Sequence, residues 1–210
     1  MTGFTRQFLD DSIEILQQVP AADIDAVVET LAATRARGGR LFFVGSGGGA
    51  GHASHAACDF RKLAGIESYS VTDNVSELTA RINDDGWDQS YADWLSVSHL
   101  SDRDCLFVFS VGGGDAERKV SANLVRAMEL AREVGAAIVG VVGRDGGALR
   151  QLATASIVIP TVDPSAVTPQ TEGLQALMWH LIVSHPDLCT STAKWESITD
   201  ARSVHHATTS

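Results

Sequence analysis

At 210 residues the chain suits one domain with a full-sized core, and 44% hydrophobic against 20% charged residues excludes a disordered or fibrous protein. A formal charge of −10 excludes broad binding to nucleic acid or an anionic membrane, but not a phosphorylated small molecule held by local backbone N–H groups. The N-terminus MTGFTRQFLDDSIEIL lacks the basic start and apolar run of a signal peptide, and the most apolar stretch, Gly135 to Gly143, is too short to span a bilayer.

Phe4 to Val19 and Ile24 to Arg37 read as amphipathic helices. In the second, Ile24, Val27, Val28 and Leu31 follow the i, i+3, i+4, i+7 spacing of one buried face, and Arg37-Gly38-Gly39 stops it. Strand-like runs come at Leu41–Val44, Ile66–Val71, Cys105–Ser110, Ala137–Val142 and Ser156–Pro160. Their apolar residues are mostly continuous, as in strands covered on both faces. Helical patterns fill the intervals at 50–64, 75–82 with 87–97, 121–134 and 147–153, and a last helix runs from about Pro169 to Ser184. The alternation predicts an α/β fold with a five-stranded parallel sheet flanked by helices. Residues 1–189 form one domain, and 190–210 read as a polar, loosely held tail. Cys58, Cys105 and Cys189 form no CxxC pair, which suits a reducing cytoplasm.

Between the first strand and the next helix lies Gly45-Ser46-Gly47-Gly48-Gly49-Ala50-Gly51. A tight turn needs one or two glycines. Five let the backbone approach a ligand closely, with helix N–H groups to attract an anion. A second loop, Ser110-Val111-Gly112-Gly113-Gly114-Asp115, follows the third strand, so both face the crevice beyond the carboxyl ends of the sheet. Ser121 either caps the following helix or offers its hydroxyl to a ligand. His55 and Asp59 are i, i+4 and share a helix face, either as a surface hydrogen-bonded pair or as part of a ligand set. His52 points about 60° off that face and reads as peripheral. The last helix carries Glu172, Gln175, Trp179 and His180. Glu172 and His180 stand roughly 12 Å apart along its axis, so only a point between them is within reach of both.

These residues together resemble the sugar isomerase (SIS) domain family, and within it the phosphoheptose isomerases. The family shows G-N-G-G-S, H-x-x-x-E on the next helix, an N-D pair, S-T-S-G-N-S, and a late helix with Q-x7-H. Here the first loop departs at Ser46 and Gly49, Asp59 replaces Glu, and Asn83-Asp84 stand unchanged. Ser110 keeps the first serine of the second loop, Gly112 replaces the next, and after a short insertion Ser121 matches the last. Glu172 replaces Gln, His180 is kept, and Gly143-Arg144-Asp145-Gly146-Gly147 resembles G-K-D-G-G.

The resemblance implies a flavodoxin-like three-layer sandwich with extra N-terminal helices. It implies an aldose–ketose isomerase for a sugar phosphate, first of all sedoheptulose 7-phosphate, assembled as a homotetramer with sites between subunits. By the same resemblance His55, Asp59, Glu172 and His180 hold a divalent metal, expected to be zinc. Asp59 or Glu172 is the base and His180 its acid partner. Ser46, Gly47, Gly48, Gly49, Ser110, Val111, Gly112 and Ser121 bind substrate phosphate, and Asn83 and Asp84 belong to the substrate site. Two rival classes fit parts of the pattern. One is a non-catalytic SIS binding or interaction module, which has no need of His55, Asp59 and His180. The other is a nicotinamide dehydrogenase, since Gly45-x-Gly47-x-x-Ala50 fits G-x-G-x-x-A with Asp73 near a ribose-binding position; the two leading helices and the second glycine loop count against it.

Overall fold

The computed structural model describes residues 3–196 and 198. Helices α1 (Gly3–Gln18) and α2 (Ala21–Ala36) lead into β1 (Leu41–Gly45). There follow α3 (Gly48–Leu63), β2 (Ser68–Ser70), α4 (Val75–Asp85), α5 (Ser90–Val97), β3 (Cys105–Ser110), α6 (Ala122–Glu133), β4 (Ala137–Val142), α7 (Gly147–Leu152), β5 (Ala155–Val158) and α8 (Val167–Ser184). The five strands are all parallel, in the order β2-β1-β3-β4-β5, with Leu41 opposite Cys105 and Cys105 opposite Ala137. This is the flavodoxin-like order, and the chain reverses direction across the sheet between β1 and β3.

The continuous apolar runs are buried on both sides because the pleat sends alternate residues to opposite faces. Leu41, Phe43, Phe107, Phe109, Val139, Val141 and Ile157 pack with residues of α2, α3 and α8. On that face the Phe43 and Phe107 rings stack at 5.1 Å. Phe42, Val44, Leu106, Val108, Ile138 and Val142 pack with α5, α6 and α7. Each large side chain removed from water stabilises the fold by roughly 1.5–3 kcal/mol, so two such cores hold a sheet this small.

Several elements differ in length from the sequence expectation, α5 for one starting at Ser90 rather than at residue 87. β2 is limited to Ser68–Ser70, an edge strand paired only with β1. α4 runs further, to Asp85, because Asn74 caps its start by accepting from the Glu77 N–H at 3.3 Å and nothing stops it before Gly86 at φ 87. The end of the expected domain is tied to its body, and so is Thr190, the first residue of the expected tail. Arg35 donates to the Asp187 and Leu188 carbonyls, and the Thr190 N–H and hydroxyl both donate to the Leu63 carbonyl. Residues 197 and 199–210 of the expected tail lie outside the described residues. Among the described residues no helix is long and apolar enough to cross a membrane.

Candidate active site

Both glycine loops leave the carboxyl ends of the two strands that flank the reversal. The first is drawn tight by the N–H groups of Gly49, Ala50 and Gly51, which donate back to the Ser46 and Gly47 carbonyls. The Tyr91 hydroxyl donates to the Gly45 carbonyl at 2.8 Å, and the Asn123 amide donates to Ser46 Oγ at 3.3 Å. In the second loop Ser110 Oγ accepts from the Gly113 N–H at 3.0 Å. Ser121, at φ 51, makes no capping bond, so its hydroxyl is spare. The loops enclose a cavity of about 260 Å³ lined by Ser46, Ser110, Val111, Gly112 and Ser121, together with Arg144.

α3 and α8 lie side by side, and their side chains meet. His55, Asp59 and His180 bring one ligand atom each within 4.8 Å of one another. His55 Nε2 is 3.8 Å from Asp59 Oδ2, and the His55 ring stands edge-on to Trp179 at 4.7 Å and to His180 at 5.5 Å. His180 Nδ1 lies 2.7 Å from the Ala176 carbonyl. That contact requires a proton on Nδ1 and leaves the Nε2 lone pair for a ligand. Two imidazoles and a carboxylate are a good donor set for zinc, and three ligands leave a position for substrate.

Glu172 does not join this group. Its carboxylate lies against Gly48 at the start of α3, so close that a Cβ there would sit 2.6 Å from the carboxyl carbon. A side chain at this position would push the carboxylate aside. His52, read from sequence as peripheral, is instead turned inward, with its ring 5.8 Å from Phe109 and Nε2 buried without a hydrogen-bond partner. Burial holds its pKa below the usual histidine value; positive charge on His55 or His180 would lower it further, while Glu172 opposes the shift. Asn83 and Asp84 are not brought to the cavity or to the histidines within one chain. They sit exposed on the last turn of α4, where Asn83 donates to Asp84 Oδ1 at 2.7 Å.

The SIS domain model matches residues 7–143. The chain belongs to the SIS domain family. Among curated relatives of this SIS domain, the lincomycin biosynthesis protein LmbN of Streptomyces lincolnensis is 36% identical over 191 residues, covering 86% of this chain and 68% of the relative. A phosphoheptose isomerase of Rhodospirillum rubrum is 32% identical over 150 residues, covering 69% and 74%. The structure of the phosphoheptose isomerase GmhA from Neisseria gonorrhoeae superposes with a TM-score of 0.73 at 22% identity, over 85% of this chain and 94% of that one. A phosphoheptose isomerase from Francisella tularensis gives 0.71 at 20% identity, over 88% and 100%. The family match spans Gly45 to Ala50 and favours the SIS reading of that loop over the dinucleotide alternative.

Sequence reasoning gave no site role to two residues that border the candidate site. His52 has the i, i+3 spacing to His55 that was available as a signal, but which side of α3 packs on Phe109 is a tertiary fact. Arg144 stands inside the recognised Gly143–Gly147 segment, yet no spacing rule connects it to Ser121.

Proposed function

We propose that this SIS domain is an aldose–ketose isomerase acting on a sugar phosphate, with sedoheptulose 7-phosphate and D-glycero-D-manno-heptose 7-phosphate as the pair to test first. The observation that carries the reading is the convergence of His55, Asp59 and His180, in a chain that also forms a serine-lined cavity at the ends of β1 and β3. Similarity to the phosphoheptose isomerases supports it.

The chemistry requires a grip on the phosphate, a base for the proton beside the carbonyl, and stabilisation of the developing negative charge. Ser46 to Gly49, Ser110 to Gly112 and Ser121 bind the phosphate end. A divalent ion held by His55, Asp59 and His180 would supply the electrophile at the carbonyl end. With Nδ1–H committed to Ala176, His180 has one nitrogen left, so it serves as a ligand and not simultaneously as an acid. Asp59, committed to the same set, is the weaker candidate for base. Glu172 lies outside that set, next to the first loop, and takes the role: it removes the proton from one carbon and returns it to the neighbouring one.

Four copies form the working assembly in this proposal, each with its site completed at a subunit boundary. The exposed Phe4, Leu9 and Ile13 on α1 and Leu177 and Leu181 on α8 support it. The cytoplasm is the proposed location, in keeping with free Cys58, Cys105 and Cys189. The test is an isomerase assay on sedoheptulose 7-phosphate and on sugar phosphates of other chain lengths, before and after chelation, with the metal content measured. Turnover that chelation removes and zinc restores is the expected result. Full turnover after chelation overturns the metal assignment, and a purified protein with neither turnover nor metal makes the binding-module reading the better one.

A further inference from the structure

The serine-lined cavity has one ionisable residue in its wall, Arg144. A phosphate monoester brings a charge of about −1.5 to −2 near neutral pH. Hydroxyls and amides solvate that charge without cancelling it, and the protein around them is already at −10. Arg144 also borders a second cavity of about 570 Å³, shared with Val111, Thr161 and Thr168. Its side chain therefore stands at the seam between the phosphate end and the space beyond it. Among the described residues the Arg144 guanidinium has no hydrogen-bond or ion-pair partner. The adjacent carboxylate is occupied locally, since Asp145 Oδ1 accepts from the Gly147 N–H at 3.2 Å.

The backbone beneath Arg144 is fixed. Among the described residues Arg144 is one of four non-glycine residues at positive φ, at 56°. A side chain stays in that region only where its surroundings over-determine it, and such positions cluster at ligand sites. Here the Gly143 N–H donates to the Val111 carbonyl at 3.0 Å and the Gly146 N–H to the Gly143 carbonyl at 3.1 Å. The Ala148 and Leu149 N–H groups donate to the carbonyls of Gly114 and Gly113. Gly113, at φ 76, lies directly on the Gly146 carbonyl, where any side chain would collide. The turn and the second glycine loop thus form one rigid unit that launches Arg144 from the rim of the cavity.

Resting on the reading of this cavity as the phosphate site, we propose that Arg144 is its counter-charge, donating its planar fork to the phosphoryl oxygens and selecting phosphorylated over free sugars. The fork allows two parallel hydrogen bonds to one phosphoryl group, which a lysine cannot make.

Calorimetric titration with inorganic phosphate, on the unaltered protein and on Arg144→Gln, Arg144→Lys and Arg144→Gly, tests this. Arg144→Gln and Arg144→Gly should weaken phosphate binding at least about tenfold and flatten its salt dependence, with Arg144→Lys in between. Arg144→Gly should melt no lower than the unaltered protein, because glycine adopts a positive φ freely, so its lost binding is not lost folding. Equal phosphate affinity in all four proteins, while the unaltered one turns over a sugar phosphate, overturns the role of Arg144 and leaves the isomerase reading standing. No phosphate binding by the unaltered protein overturns the phosphate site itself, and Arg144's role with it.

Discussion

Glu172 and His180 share a helix but not a neighbourhood. His180 faces His55 and Asp59, while the Glu172 carboxylate rests against Gly48, nearer the first loop. Substitutions at near-constant volume separate the roles. His180→Gln should keep the fold, since the side chain is exposed, but lose bound metal and lower activity by roughly 10²-fold or more. Glu172→Gln should lower kcat by a similar factor, roughly 10²-fold, while metal content stays that of the unaltered protein. Metal analysis beside steady-state kinetics checks both, and full activity in either variant removes that residue from the mechanism. The identity of these side chains was legible in the sequence. Their division into two groups was not, because it depends on the lateral placement of α8 against α3 rather than on spacing along α8.

At the scale of elements, the site is held by contacts that carry no motif. Gln175, buried on α8, donates to the Ser110 carbonyl at 3.0 Å and to the Val141 carbonyl at 2.9 Å. It pins the helix that bears Glu172 and His180 across the ends of β3 and β4. At the opposite end of the sheet, Asp104 joins the entries of β1 and β3. Its carboxylate accepts from the Arg40 N–H and guanidinium and from the Ser101 N–H and hydroxyl, with distances of 2.9 to 3.2 Å. Burial alone would raise the Asp104 pKa, but the hydrogen bonds from Arg40 and Ser101 outweigh it and hold it below the usual aspartate range. A pKa lowered by folding stabilises the protein above the unfolded value, and the contribution is lost as pH falls through the folded one. Asp104→Asn should therefore cost about 1–3 kcal/mol at pH 7. The gap from the unaltered protein should close progressively as pH falls below the usual aspartate range, as urea midpoints across pH would record. A gap independent of pH would show that the charge on Asp104 does not stabilise the fold.

For the whole molecule, α1 is the element least explained by a single chain. It buries only Asp11 and Ile15, and Phe4, Leu9 and Ile13 remain more than half exposed. An amphipathic helix in that condition is stable when a further surface covers it. A homotetramer is the expected solution state at micromolar concentration. Light scattering that returns the monomer mass of 22.3 kDa would leave α1 without its cover and reject the assembly.

The sequence by itself determined the α/β class, the parallel sheet and the two glycine loops. Hydrophobic runs, glycine clusters and helix periodicity are local properties, read within one element at a time. It also named His55, Asp59, His180 and the three serines, because their residue types in that order are specific. Only the tertiary structure decided that Asn83 and Asp84 stay away from the other site residues within one chain, that His52 turns inward, and that Arg144 borders the serine cavity. Those outcomes depend on how far α4 runs, on which side of α3 packs against β3, and on hydrogen bonds between two loops distant in sequence. Distances through space of this kind leave no periodic trace along the chain.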